Sequence, residues 1–439
     1  MTDQTIIDAW EHAERTPHHG HKPPLAYHEL RDIIDLALWA GQMLLQHGAN
    51  SQRVEETVHH IGTGLGCDWL DVIITTQHIT ITAHSNHEFR TKTRRVTHFG
   101  VDMSQIAILN DLSRDISTGR LRDRQQVRQR LKQIDTPDKH YSRWTVALAV
   151  GLACAAFSRL FGADLPTFGL TMFASTGAML IRQELHKRHV NALFIVILAA
   201  LFASLTTILL GPHVTTAPQV ALSAAVLLLV PGVPLINAAQ DLISGHTTSG
   251  IARGMSGFLI SLAIALGIAL ALGLTGWSQD LALPPAHLAW GEHGLWAAIA
   301  ATGFAILFNV PPQQLLGGAV AGAVGVVLRT TLLNYSWRLD LATLFAAAAV
   351  GFLAERLAHH QQTPTSLFAI PGIIPMVPGR FAFTTLLGIL ELAIITPATA
   401  TPVLAITATN AIQTGLILAA LAVGITMPRL IFKRRPPVV

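Results

Sequence analysis

The residues in this chain that could bind or move charge sit where charge is expensive. Glu391 lies in LLGILELAII, with apolar neighbours on both sides. Asn237 and Asp241 are one helical turn apart, so they share a face of any helix that carries them. Arg253, Arg380 and the trio Asn410, Gln413 and Thr414 also fall in or beside apolar stretches. Ionisable groups at membrane depth are costly, and each becomes a functional candidate. Glu391 suits a cation, a proton or a substrate amine; the alternative is a helix-end acid facing water. Asp241 with Asn237 suits a cavity wall, or else a polar helix exit at the cytosolic surface. The guanidinium forks of Arg253 and Arg380 match a carboxylate, although Arg253 serves equally as a positively charged anchor on the inner side. The trio around Asn410 serves equally as interhelical glue.

Two proline-broken stretches lie among these residues or a few turns before them. Leu227–Ser244 reads LLLVPGVPLINAAQDLIS, and Ala369–Gly379 reads AIPGIIPMVPG. Proline removes a backbone donor and clashes with the preceding turn. In hydrocarbon, the freed groups are tolerated only against protein or a water-filled cavity. Paired breaks in two halves of a chain point to a transporter's binding site. The candidate substrate residues are therefore Pro231, Gly232, Pro234, Asn237 and Asp241 in one half, and Pro371, Gly372, Pro375, Gly379, Arg380, Glu391 and Asn410 in the other.

Composition supplies the setting. Only 13% of the 439 residues are charged, about half of the usual soluble share of roughly 25%. Residues 1–142 hold 16 of the 30 Lys and Arg and 18 of the 26 Asp and Glu. A soluble domain thus precedes a membrane domain. The +4 net charge implies no nucleic acid, because the excess bases sit mostly at span ends. Cys67 and Cys154 fall in different domains and read as free thiols. The polar N-terminus carries no signal peptide, which leaves the first domain in the cytosol.

In order, residues 1–24 read as a disordered tail with His18, His19 and His21. Helices are expected over 25–48, with Gly48 closing the first, and from Ser51, taken as the N-cap of the second. Strands follow at 71–75, 79–83 and 88–97, then helices at 103–117 and 123–134, an α+β domain over 25–142. Gly62, Gly64 and Gly66 follow a helix and precede a strand, the reverse of a dinucleotide loop. His78, His84, His87 and His98 could gather a metal but read better as ordinary surface or core residues, so no metal or other cofactor is implied.

Ten hydrophobic segments fill 143–428, the ninth long and broken, each near the roughly 20 residues that cross a bilayer. The fold class is an α-helical polytopic membrane protein with ten transmembrane helices in two five-helix inverted repeats, 143–275 and 293–430, behind an N-terminal cytosolic α+β domain. Both termini are cytosolic by the positive-inside count. The repeat shows in the prolines and arginines: RLFGADLP at 159–166 leads to Arg182, and LFNVPP at 307–312 leads to Arg329, 147 residues later. Asn309, beside Pro311 and Pro312, caps a span end. The Pro-Gly pair at 231–232 recurs at 371–372, offset by 140, which leaves the relative depth of the two breaks open.

Four stretches together resemble the threonine/serine exporter family of bacteria: GANSQRVEE at 48–56, NDLSR at 110–114, PGVPL at 231–235 with Asn237 and Asp241, and PGIIPMVPG at 371–379. The resemblance covers nearly all of the chain past residue 25. It implies ten spans, a cytosolic N-terminal domain and export of small hydroxy amino acids from the cytoplasm. A two-subunit version of the same architecture is linked to dicarboxylate export, with succinate as the example. The expected partners are a small-molecule substrate, the lipid bilayer of the cytoplasmic membrane and, in a homo-oligomer, further copies of the chain. No Walker A motif is present, so the first reading is a secondary exporter of threonine and serine coupled to protons through Glu391, since Glu391 and Asp241 suit a substrate ammonium, and a dicarboxylate exporter is the second. A membrane-anchored enzyme or sensor would instead use Glu55 with His59 and Glu56 with His60, each pair on one helix face. Arg53, Glu55 and Glu56 are otherwise expected to regulate or gate by contact with inner loops.

Overall fold

A computed structural model describes residues 22–86, 88–97, 99–135, 139–277, 290–392 and 397–431. The expected features at 1–21, His87, His98 and 278–289 lie outside the described residues. The N-terminal part opens with α1 (Tyr27–Gln46) and α2 (Ser51–Gly64). Three antiparallel strands follow, β1 (Trp69–Ile74), β2 (His78–Ser85) and β3 (Glu88–Arg95), in spatial order β1-β2-β3. On β2 the alternation expected of a half-buried strand holds: Ile79, Ile81 and Ala83 are fully buried. Their neighbours Thr80 and Thr82 pair across the outer face with Thr93 and Thr91. Then come α3 (Met103–Ser117) and α4 (Arg124–Ile134), capped by Asp102 and Asp123. The first turn leaves N–H groups without partners, and those carboxylates accept them.

One expectation fails here. Ser51 is not the N-cap of α2; Asn50 is, with its side chain accepting from the Arg53 N–H. Either residue type suits the position. Ser51 is drawn one place into the helix, because its own N–H and hydroxyl bond elsewhere.

The apolar part runs through α5 (Arg143–Leu160), α6 (Leu165–Lys187), α7 (Ala192–Val214), the broken pair α8 (Pro218–Ala225) and α9 (Gly232–Ile243), and α10 (Thr247–Thr275). It continues through α11 (Trp290–Leu307), α12 (Leu315–Asn334), α13 (Leu339–Gln361), the broken pair α14 (Ser366–Ile373) and α15 (Gly379–Leu392), and α16 (Pro397–Ile431). Among the described residues, six helices are long and apolar enough to cross a membrane, or eight if each bent pair is one span. The chain is a polytopic membrane protein, and length and composition alone support fewer crossings than the ten expected.

The helix boundaries repeat. Residues 143–160 recur as 290–307, 192–214 as 339–361, and the 3₁₀ turn 227–229 as 374–376, each 147 residues later. Left-handed residues that close helices recur at the same offset: Gly162 with Asn309, and His189 with Ser336. Equivalent pairs of helices pack in both halves: α5 on α6 as α11 on α12, and α7 on α10 as α13 on α16.

Candidate functional site at the two breaks

Each break is written by the same three residues. The 3₁₀ turn Leu227–Leu229 ends at Val230, which is extended at φ −60°, ψ 126°. The turn Ile374–Met376 ends at Val377, extended at φ −56°, ψ 136°. Proline disfavours helical geometry at the residue before it, and both valines precede one. In the first break Pro231 sits at φ −77°, ψ 56°, and the Gly232 N–H donates to the Val230 carbonyl at 2.8 Å, an inverse γ-turn. The Gly379 N–H donates to the Val377 carbonyl in the same way at 2.7 Å. A new helix then starts at the glycine, bent by 60° in the first half and 54° in the second.

The counterpart of Val230-Pro231-Gly232 is therefore Val377-Pro378-Gly379, at the same 147-residue offset as the helices. The pairing expected from Pro371 and Gly372 is wrong: both lie inside α14, where Gly372 packs against Ala321 of α12 and Val350 of α13. Pro375 sits within the 3₁₀ turn. Pro234 falls in the first turn of α9, where a missing N–H costs little.

The breaks meet each other. A Cβ on Gly379 would lie 2.3 Å from Leu227 Cδ2, and one on Gly232 would lie 3.5 Å from Ile374 Cδ1. Between them is a crevice of about 20 Å³, room for about one water. Its lining is four pairs, one member from each half: Phe157 and Phe304, Leu227 and Ile374, Val230 and Val377, Gly232 and Gly379. Arg329 of α12 donates from Nη1 to the Met376 carbonyl at 3.0 Å, satisfying one group that the second break frees. Nothing in the sequence pattern singles out Phe157 or Phe304, and Arg329 stands out there only as a marker of the repeat. The Val-Pro-Gly triplet recurs in the sequence, but the neighbouring Pro-Gly of α14 mimics it.

The polar candidates are elsewhere. Asn237 and Asp241 face the N-terminal domain from the far end of α9. Asp241 is 1% exposed, and accepts from the Ser51 N–H at 2.8 Å and the Ser51 hydroxyl at 3.0 Å. Arg253 of α10 places Nε 3.1 Å from the same carboxylate and donates from Nη2 to the Ala49 carbonyl at 2.9 Å. The Asn237 amide donates to the Gly48 carbonyl at 2.8 Å, and Asn50 donates to Gln240 at 3.2 Å. The segment 48–51, a tight loop with Gly48 at φ +87°, is thus clasped by α9 and α10. Glu55 reaches the turn between those helices and pairs with His246 at 3.2 Å. That bond to Glu55 holds the His246 pKa above its usual value, with Asp241 adding to it and burial and Arg253 opposing. Arg53 donates to Asn110 at 3.4 Å; burial lowers its pKa to about 10, and Arg429 of α16 pushes the same way.

Glu56 accepts from Gln52, and His59 packs edge-on to Trp69. The two Glu/His pairs therefore do not converge on one point. Glu391 is exposed on α15, 12 residues past Gly379, about 18 Å along a helix. Arg380 is half-buried in the first turn of α15 beside the break, and Asn410 is half-buried in α16. Among the described residues no group of three or more His, Cys, Asp or Glu could hold a metal ion.

The N-terminal domain touches the bundle at further points. The Met103 N–H donates to the Phe308 carbonyl, Asn309 donates to Asp102, and the Tyr141 hydroxyl donates to the Val310 carbonyl at 2.7 Å. Arg114 donates to the Gln362 backbone and side chain. The ends of α9, α11 and α13 and the starts of α5 and α10 therefore lie on one side of the bundle.

Comparison with known proteins agrees with this architecture. Two models of the threonine/serine exporter family match the chain, one over residues 35–275 and one over 293–431. The chain is 37% identical over 252 residues to the probable succinate transporter subunit YjjP of Escherichia coli, covering 56% of this chain and 97% of that protein. It is 35% identical to the protein of the same description from Klebsiella aerogenes, covering 57% and 98%. An uncharacterized protein of Haemophilus influenzae is 24% identical over 411 residues, 93% of this chain and 98% of its own length. No solved structure matches.

Proposed function

Since the chain belongs to the threonine/serine exporter family, we propose that it is a secondary transporter. It exports small carboxylate-bearing solutes from the cytosol across the cytoplasmic membrane. The observation that carries the reading is the crevice lined by four residue pairs, one member from each half. Helices α9 and α15 begin at that crevice, and a helix N-terminus carries a partial positive charge of roughly half a unit. Two such ends, freed backbone groups and no acid suit a carboxylate, as in other transporters with broken helices. The crevice is too small for any solute, so it represents a closed state that rocking of one half against the other would open.

The helix ends support five crossings per half. Helix α5 starts at the domain side, while its counterpart α11 ends there, packed against it. Equivalent helices then run in opposite senses, as inverted repeats require. The chain returns to that side after α11 and again after α13, an even number of crossings each time. The domain side is the cytosol by the bias of Lys and Arg.

The position of the acids favours a dicarboxylate over a hydroxy amino acid. An ammonium wants an acid or carbonyls, but Asp241 is engaged by Ser51 and Arg253, and Glu391 stands about 18 Å from the break. The relatives described as probable succinate transporter subunits favour the same choice. The family description favours threonine and serine as the second reading. Counterflow in proteoliposomes, with succinate, threonine, serine and alanine as competitors, decides. Exchange of succinate supports the dicarboxylate; exchange of threonine alone overturns it. Coupling to protons is assigned to Glu391 and ends with that assignment if Glu391→Gln transports with an unchanged pH profile.

A further inference from the structure

A second and much larger cavity, about 930 Å³, opens on the domain side of the bundle. Its walls come from the end of α13, the 362–365 loop that leads into α14, the residue Pro428 of α16, and Arg114 of α3. It therefore sits at the foot of the broken helix α14, whose other end is the second break. Its volume is in the range of small-molecule sites.

The lining is rich in basic side chains. Arg114 and Arg356 contribute two guanidinium groups, and His359 and His360 two imidazoles, beside the carboxylate of Glu355. Arg114 is held in place by Asp111 at 2.7 Å and by Gln362, yet its buried Nε has no hydrogen-bond partner. The buried hydroxyl of Thr363, in the same wall, has none either. Buried donors left unmade cost free energy, so both would gain from an acceptor in the cavity. Arg356 is exposed near the end of α13 and lines the cavity. Guanidinium groups present planar forks that match carboxylates, and two such groups with two imidazoles match a molecule with a carboxylate at each end.

We propose that this cavity is a loading site for small dicarboxylate anions, occupied before the solute reaches the breaks. The proposal rests on the carboxylate-export reading, but its test does not, because equilibrium binding needs no transport. The full chain is placed in nanodiscs of zwitterionic lipid and titrated with succinate, then with threonine. Succinate binds and threonine does not displace it. Arg356→Gln weakens succinate at least tenfold, Arg356→Lys, which keeps the charge but loses the fork, weakens it less than Arg356→Gln does, and the double variant His359→Gln/His360→Gln weakens it severalfold. The fold of each variant is checked by its thermal transition. Failure of the wild type to bind succinate, or binding by Arg356→Gln within twofold of wild type, overturns the site. So does enrichment of phosphatidylglycerol by the wild type over Arg356→Gln with succinate silent, which would make it a lipid headgroup site. If succinate binds with this pattern but is not exchanged in counterflow, the site stands and the transport reading falls.

Discussion

Replacing Asp241 with Asn separates a docking residue from a substrate residue. The carboxylate is 1% exposed and holds two donors of Ser51 and the Arg253 guanidinium, whose side chain is itself 13% exposed. Asparagine keeps the shape but turns one acceptor into a donor facing either Ser51 or Arg253. It also leaves the Arg253 charge without its counter-ion. Breaking one side of a buried ion pair costs about 3–5 kcal/mol, because the remaining charge stays desolvated. Taking the lower end, about 3 kcal/mol, the opening equilibrium of the 48–56 segment shifts by roughly 150-fold. Hydrogen exchange of the backbone amides from Asn50 to Glu56, followed in the full chain in nanodiscs, reads this directly. The expected result is loss of protection at Ser51 and its neighbours while amides of β2 stay protected. Ser51→Ala removes only the hydroxyl bond, so it should cost less, and the double variant should cost less than the sum, because the two changes share one contact. Substrate KM should stay near wild type. Protection within threefold of wild type, joined to a raised KM, would refute the docking assignment and return Asp241 to the substrate site.

The Glu55–His246 pair should make the same docking depend on pH. The His246 pKa is raised in the folded chain. The stabilisation is then complete below the ordinary histidine pKa of about 6.5 and fades as pH rises through the raised value. Protection at 50–56, taken relative to the intrinsic exchange rate at each pH, should therefore fall as pH rises above about 6.5, and His246→Gln should flatten that trend. Gly379→Ala should cost about 1–3 kcal/mol by overpacking, since its Cβ would lie 2.3 Å from Leu227. Gly232→Ala has 3.5 Å to its nearest neighbour and should cost less, so equal shifts in thermal stability would count against the packing of the breaks. Burial pushes the Cys67 thiol up to about 12. A maleimide should leave it unmodified at pH 7.5 in the folded chain and label it on unfolding, as read by intact mass.

Much of this protein is local and therefore legible in a single chain. The β2 alternation, the carboxylate caps at Asp102 and Asp123 and the apolar runs follow from neighbours a few residues apart. The 147-residue spacing was visible in Arg182 and Arg329, and it holds for helix ends, left-handed residues and the Val-Pro-Gly breaks alike. Proline acts on the residue before it, so the existence of a break is a sequence property. Which of two Pro-Gly pairs makes the second break is not, because Pro371 is held within α14 by its packing on α12 and α13.

Polar residues were the reverse case. Asn237, Asp241 and Arg253 were recognised as unusual, but a carboxylate on an apolar helix looks the same whether it faces a solute or another domain. Ser51 and Asp241 are 190 residues apart, and only the folded chain brings them to 2.8 Å. By itself the sequence determined a charge-rich α+β domain, a repeated apolar half and a proline break in each. The tertiary structure alone decided that the breaks face each other and that the buried acid belongs to the domain contact. The physical reason is range: caps, turns and proline effects act within a few residues, whereas the partner of a buried charge is chosen by how distant helices pack.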